Sequence, residues 1–530
     1  LAAALFVLNV TLTFESAWPT PGIRWRGALS IESAVLVLIL MAAGRWYLPS
    51  RRARRRIAAT WLVLVVGRYL SVSSAALYGR EVNLLWDVRF IPDVVAMLAR
   101  PERLWVVGLA VAAALLILVL AYVVLLCVIG RICQAAASVG ERRVAAALAV
   151  VVMAAWAVAE EEVPGRSASA FARPVTATYA RQMQLVSATL RGSTAVAPSP
   201  SMDSDLSRVK GADVFLFFVE AYGAVAYDRP EFATRLSADR LALESAIRDT
   251  NRQVLSAYVE SPTFGGSSWL AHISLLSGVE VRSHDTNALL MSQNRETMVT
   301  AFKRRGYRTV AVMPGMWQAW PEGRFYGFDA LYGGESLEYE GPPFGWWDMT
   351  DQFALAKLDA EEVNRAPRAP LFVFFPTIST HIPFTPTPPY QRDWSRMLTK
   401  APYDEADVER AYERQPDWLD LGASYADAVS YMYRSVTGYV GLQGARDFVM
   451  VLIGDHQPAA AVSGEQATWD VPVHIITGRP SVLERLQMEG FRPGLSPARP
   501  VLGAMHQLTP ILLAAFGDPD PAGGGKTDDK

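Results

Sequence analysis

Val449-Met450-Val451-Leu452-Ile453-Gly454-Asp455-His456 reads as a strand that ends on a glycine and two side chains able to bind a metal. The apolar residues run without alternation, as they do in a strand covered on both faces. Similar short runs occur at 214–219, 309–313, 371–375 and 471–476, with helical segments between them. This pattern predicts a mainly parallel sheet in an α/β/α sandwich. Such sheets place their sites at the C-terminal ends of strands, so the residues just past each run are the ones to inspect.

Three of those ends carry chemistry. Asp455 and His456 are adjacent and offer an oxygen and a nitrogen to one metal. The first run ends Val219-Glu220-Ala221-Tyr222-Gly223, which leaves a carboxylate at the strand tip; taken alone, Glu220 reads as a solvated loop acid. The third ends Pro376-Thr377-Ile378-Ser379-Thr380-His381-Ile382-Pro383-Phe384, where prolines on both sides fix His381 as a hydrogen-bond donor or general acid/base. Of the 6 histidines, His381 and His456 are assigned function. His474 lies inside a strand and His506 precedes an apolar helix, so both read as structural, and His272 is a lesser candidate.

A hydroxyl nucleophile is supplied by Ser261-Pro262-Thr263-Phe264-Gly265-Gly266-Ser267-Ser268-Trp269-Leu270-Ala271-His272. The glycine pair delivers Ser267 to a helix start, and Trp269, Leu270, Ile273 and Leu276 recur at helical spacing until Gly278. At such a start the unpaired N–H groups favour an alkoxide and a bound phosphate. By itself a Gly-Gly-Ser-Ser start is more often an N-cap. Ser267 is read as the nucleophile and Ser268 as the neighbouring alternative.

The first part of the chain is of another kind. Across 530 residues the hydrophobic content is 51% and the mean hydropathy +0.16, too apolar for an ordinary soluble enzyme. Apolar runs at 2–14, 28–48, 57–78, 104–130 and 144–159 predict five membrane spans. The first is short and lacks a basic region before it, so a cleaved signal peptide is the weaker reading. Arg51, Arg52, Arg54, Arg55 and Arg56 between spans two and three, and Arg131, Arg142 and Arg143 between spans four and five, place both loops in the cytoplasm. Alternation then puts the N-terminus inside and everything after 159 outside, as in a multi-pass protein of the cell (inner) membrane. Arg68, within the third span, either meets a polar partner or snorkels. The outer loop 80–102 is expected along the lipid surface.

The predicted organisation is a transmembrane domain at 1–160, a linker at 161–210 with a helix near 171–190, an extracytoplasmic domain at 211–516 and a disordered tail at 517–530. A net charge of -2, from 50 basic and 52 acidic residues, gives no reason to expect nucleic acid. Cys127 and Cys133 are the only cysteines, which excludes a disulfide framework or a Cys-rich zinc site in the outer domain. Trp317, Trp320 and Arg324 lie in an aromatic segment suited to a polar headgroup beside a membrane.

Together these pieces resemble the alkaline phosphatase/sulfatase superfamily, and within it the membrane-bound lipoteichoic acid synthase and phosphoglycerol transferase branch. The resemblance rests on the spans, Val-Glu-Ala-Tyr-Gly, Phe-Gly-Gly-Ser-Ser-Trp, Thr-His-Ile-Pro-Phe and Gly-Asp-His in that order. It implies that Glu220, Ser267, Asp455 and His456 bind one divalent cation, manganese, with zinc or magnesium as alternatives. It further implies that His381 and Trp317 contact substrate, with Trp320 and Arg324 beside them. The implied activity is transfer of a phospho-alcohol group, phosphoglycerol from phosphatidylglycerol, through a phosphoseryl intermediate to an extracytoplasmic glycan or lipid.

The chain also departs from the branch and its relatives. Lipoteichoic acid synthases use Thr where this chain has Ser267, and their glycerol-phosphate-contacting His and Arg have no clear match. Sulfatases resemble a Cys/Ser-x-Pro-x-Arg pattern that Ser267-Ser268-Trp269-Leu270-Ala271 lacks, and phosphoethanolamine transferases have a Cys-rich outer domain. The rival expectations are a membrane-anchored phosphodiesterase/phosphatase or phosphoethanolamine transferase, and an inactive envelope-binding module.

Overall fold

All five apolar runs are helical in the computed structural model, which describes residues 1–17, 20, 22–78, 104–162, 170–191, 196–316, 323–464 and 466–519. They form α1 (Ala2–Thr13), α2 (Ile31–Ala43), α3 (Arg51–Tyr78), α4 (Leu104–Ala137) and α5 (Val139–Glu162). Three contain stretches long and apolar enough to cross a membrane: Arg51–Ala76, Trp105–Ala137 and Val139–Ala159. Among the described residues these three meet the length of about 20 that a crossing takes, while α1 and α2 are apolar helices of 12 and 13 residues. α1 stops where the chain turns into a small antiparallel pair, β1 (Glu15–Ser16) and β2 (Ile23–Arg24), and α2 stops at Gly44, ahead of Pro49.

These helices belong to the first of two compact units, Leu1–Ser193 and Thr194–Lys530. Leu8, Leu12, Val37, Leu40, Ile129 and Ile132 share its core. Arg68 has a polar partner: its Nε donates to the carbonyl of Phe14 at 2.8 Å, where α1 has run out of intrahelical donors. The expected linker helix is α6 (Val175–Arg191), and its Tyr179 hydroxyl donates to the carbonyl of Val63 at 2.9 Å. The loop 80–102, parts of the linker and the tail from 520 lie outside the described residues.

The second unit is built on an eight-stranded sheet. Its strands are β3 (Asp213–Val219), β4 (Gln253–Glu260), β5 (Arg308–Met313), β6 (Ala330–Gly333), β7 (Leu371–Pro376), β8 (Phe448–Gly454), β9 (Asp470–Thr477) and β10 (Arg492–Pro493), in the order β10-β4-β9-β8-β3-β7-β5-β6. From β8 to β6 every pairing is parallel, as expected. β9 runs against both β8 and β4, and β10 against β4, so the other side of the sheet is an antiparallel extension. Strand β3 shows why the apolar runs do not alternate. Phe215, Phe217 and Val219 enter one core while Val214, Leu216 and Phe218 enter the other, on the opposite face.

β3, β4, β7 and β8 all point the same way, so their C-terminal ends meet along one edge. Those ends lead into Glu220, the Ser261–Ser268 turn, the His381 loop and the Asp455-His456 pair. The helix after β4 is α7 (Ser268–Ser277); α8 (Asp351–Leu358) and α9 (Gly422–Gln443) follow later in the chain.

Candidate active site

Glu220, Asp455 and His456 are buried, and one ligand atom from each lies within 4.8 Å of the others. The backbone fixes each of them. Asp455 Oδ1 accepts the amides of Ala221 at 2.9 Å and His456 at 2.6 Å, and Ser261 Oγ donates to the Asp455 carbonyl at 2.5 Å. Glu220 donates its N–H to Thr377 Oγ1 at 3.1 Å and accepts from Thr380 Oγ1 at 2.6 Å through its carbonyl. Gly454 permits the approach of the two strand ends: a Cβ there would lie 1.8 Å from the Tyr222 carbonyl oxygen.

His456 Nδ1 sits 2.7 Å from the Gln457 carbonyl, which can only accept, so Nδ1 carries a proton and Nε2 faces the carboxylates. Nε2 lies 3.4 Å from Glu220 Oε1 and 3.7 Å from Asp455 Oδ2. Burial works against the imidazolium, but Asp455 and Glu220 outweigh it and raise its pKa to about 9. Burial also works against the Glu220 carboxylate, yet His456 holds it well below the usual range. Asp455 is pushed well above that range by burial and by Glu220. Two buried carboxylates facing one another need a positive charge between them, and here a histidine proton partly supplies it.

A hydroxyl completes the group, and it belongs to Ser268. Ser268 Oγ donates to Glu220 Oε2 at 2.8 Å and lies 3.2 Å from His456 Nε2. Ser267, the residue expected there, is the N-cap of α7 and makes no side-chain capping bond. The one-residue difference has a backbone cause. Gly265, Gly266 and Ser267 have φ of 65°, 142° and 64°, so the left-handed turn takes one residue more than the glycine pair and Ser268 is the first helical residue. One histidine nitrogen, two carboxylates and a hydroxyl form a donor set that fits a divalent cation, which would displace the shared proton.

His381 is brought to the same edge. Burial lowers its pKa, outweighing the Glu220 charge that raises it, and so favours the neutral ring. Its Nδ1 is 2.6 Å from the Ile382 carbonyl, which assigns the proton to Nδ1 and the lone pair to Nε2. Trp347 meets its ring edge-on, with centroids 4.5 Å apart. His272, one helical turn beyond Ser268, is buried between Phe218 and Phe374 with no partner for Nε2, and burial lowers its pKa to about 3. Arg324 is exposed on the short helix Gly323–Tyr326, and none of the cluster's contacts above involves it. Trp317 and Trp320 lie outside the described residues.

Sequence reading missed Thr377, Thr380 and Trp347. The two hydroxyls bracket Ile378 and Ser379, just before His381, as Thr377-Ile378-Ser379-Thr380, a spacing that clasps one residue of a neighbouring strand end.

Residues 273–473 match the sulfatase family model. The chain carries a sulfatase-family domain. The matched span holds His381, Asp455 and His456 and begins after Glu220 and Ser268. Among solved structures, the lipooligosaccharide phosphoethanolamine transferase A (EptA) of Neisseria meningitidis, an integral membrane protein, aligns over 98% of this chain and 95% of its own, at 12% identity and a TM-score of 0.50. At that identity the likeness is one of fold. An alkaline phosphatase superfamily protein from Vibrio parahaemolyticus aligns over 63% of this chain and 75% of its own (16% identity, TM-score 0.39). The lipoteichoic acid synthase LtaP of Listeria monocytogenes aligns over 61% and 78% (15% identity, TM-score 0.37). No curated protein sequence matches the chain.

Proposed function

We propose that the chain is a membrane-embedded transferase that moves a phospho-alcohol group, phosphoglycerol from phosphatidylglycerol, to a hydroxyl of an extracytoplasmic glycan or lipid. The observation that carries this reading is the Ser268 hydroxyl bonded to Glu220 beside His456, at a helix start and in a metal-binding donor set. A domain that only binds has no need of a nucleophile among metal ligands. Glu220, Ser268, Asp455 and His456 would hold a divalent cation, manganese in this reading. When bound, it supplies positive charge that lowers the pKa of the Ser268 hydroxyl and offsets charge on the phosphoryl oxygens.

In the first step the Ser268 Oγ–P bond forms and the bond from phosphorus to the diacylglycerol oxygen breaks. The serine proton passes to Glu220, which already accepts its hydrogen bond, and the leaving oxygen takes up a proton from water. In the second step the acceptor oxygen bonds to phosphorus, the Oγ–P bond breaks and Oγ regains its proton from Glu220. His381, with its lone pair on Nε2, takes the proton of the acceptor hydroxyl. Anchoring beside the donor lipid raises the donor's effective concentration at the site.

The full-length likeness to the Neisseria enzyme favours phosphoethanolamine as a second headgroup, although this outer domain has no cysteine. The test is to incubate the full chain in vesicles with manganese and either phosphatidylglycerol or phosphatidylethanolamine, following diacylglycerol release. Release from phosphatidylglycerol alone supports the proposal, release from phosphatidylethanolamine alone replaces the headgroup, and release from neither refutes it.

A further inference from the structure

Asp351, the first residue of α8, has had no role so far, and its surroundings give it one. It is 2% exposed, and a carboxylate is not left in such a place without donors. Its two oxygens accept the amide of Ile378 at 2.7 Å and the amide of Ser379 at 3.0 Å, and its own N–H donates to Ser379 Oγ at 3.2 Å. These bonds are not helix capping, because Thr350 is the N-cap of α8 and accepts from Phe353 N–H.

The stretch that Asp351 holds runs from Thr377 to His381. On either side of the two pinned amides, Thr377 and Thr380 clasp the backbone of Glu220, and the next residue is His381, whose N–H returns to the Ile378 carbonyl at 3.1 Å. Four residues before Asp351, Trp347 supports the edge of the His381 ring. The short segment from Trp347 to Asp351, leading into α8, thus touches the histidine through its ring and through its loop.

We propose that Asp351 is a positioning residue: by holding the Ile378 and Ser379 amides, it fixes His381 at a set distance from the cluster and so governs the second half of the reaction. The inference rests on the reading that His381 takes the acceptor's proton. Asp351→Asn keeps the shape but turns one acceptor into a donor facing an N–H group.

The probe is p-nitrophenyl phosphoglycerol, whose phenolate leaves without a proton, given to the full chain with manganese and with glycerol in excess as the acceptor hydroxyl. In Asp351→Asn the first nitrophenolate per chain is expected at a near wild-type rate. Later turnover should slow by about 10- to 100-fold, the cost of a small misplacement, with the Ser268 adduct accumulating. His381→Ala should show the same pattern, and the double variant should be no slower than His381→Ala alone. Ser379→Ala, which removes only the hydroxyl, should slow the same phase by a few-fold, with metal content unchanged in each variant.

Wild-type turnover in Asp351→Asn, or additive effects in the double variant, would overturn the inference. So would loss of metal from Asp351→Asn together with wild-type turnover in Ser379→Ala. If His381→Ala accumulates no adduct, the assignment of His381 fails and the inference falls with it; an adduct in His381→Ala but not in Asp351→Asn defeats the inference alone.

Discussion

Two buried polar clusters flank the end of β3, and they are balanced differently. Around Tyr222, its hydroxyl lies 2.5 Å from that of Tyr227, 2.6 Å from that of Tyr433 and 3.1 Å from His474 Nε2. His474 Nδ1 reaches Ser256 Oγ at 2.6 Å, and the chain of donors ends on the carbonyls of Gly494 at 2.5 Å and Leu495 at 2.9 Å. Every member is neutral, and the surplus protons end on backbone. Two residues before Tyr222, the cluster of Glu220, Asp455, His456 and Ser268 sets two buried carboxyl groups against a single histidine. A buried network that closes on itself holds the fold, whereas one in which two carboxyl groups are balanced only by shared protons is where a cation belongs.

The largest expected effect breaks the second cluster. Ser268→Ala should lower transfer by about 10³- to 10⁴-fold while Ser267→Ala stays within a few-fold, measured as diacylglycerol release. Next, Glu220→Gln or Asp455→Asn should abolish metal binding by the full chain in a calorimetric titration. In the wild type, manganese at 100 times its Kd should stabilise the folded chain by about 2.7 kcal/mol, an effect lost in either variant.

The first cluster should respond in stability and not in chemistry. Tyr222→Phe removes the central hydroxyl and leaves buried partners unpaired, at a cost of about 1–3 kcal/mol in denaturant unfolding, with metal affinity kept. The smallest expected effect is in pH dependence. Burial lowers the His474 pKa to about 3, whereas an unfolded histidine titrates near 6.5. Between those values the unfolded chain binds a proton that the folded chain refuses, so the contribution of His474 is complete above pH ~6.5 and declines as pH falls toward 3. His474→Gln should therefore reduce the slope of stability against pH in that window by up to about 1.4 kcal/mol per pH unit. An unchanged slope would show that His474 is not buried as a neutral ring.

How much of this was legible follows the range of the interactions. Strands such as Phe448–Gly454 announce themselves because covering both faces of a sheet requires an unbroken apolar run, and the residues at their tips could be named from topology alone. Strand β4 (Gln253–Glu260) did not, because it carries Ser256, which is acceptable in the core only through His474 and the Gly494 carbonyl. The direction of β9 was equally hidden, since an apolar run buried on both faces is the same read either way. The step from Ser267 to Ser268 turns on a single positive φ, which Gly-Gly-Ser-Ser does not specify. Five apolar runs were visible, but where each helix stops depends on the turn after Thr13 and on Gly44.

The most direct test of the account is to trap and map the covalent intermediate. The full chain would be quenched during turnover with manganese and phosphatidylglycerol, then its mass and that of its peptides measured. The account predicts a glycerophosphoryl adduct located on Ser268, retained in Ser267→Ala and absent in Ser268→Ala. An adduct on Ser267, or turnover that persists in Ser268→Ala, would contradict it.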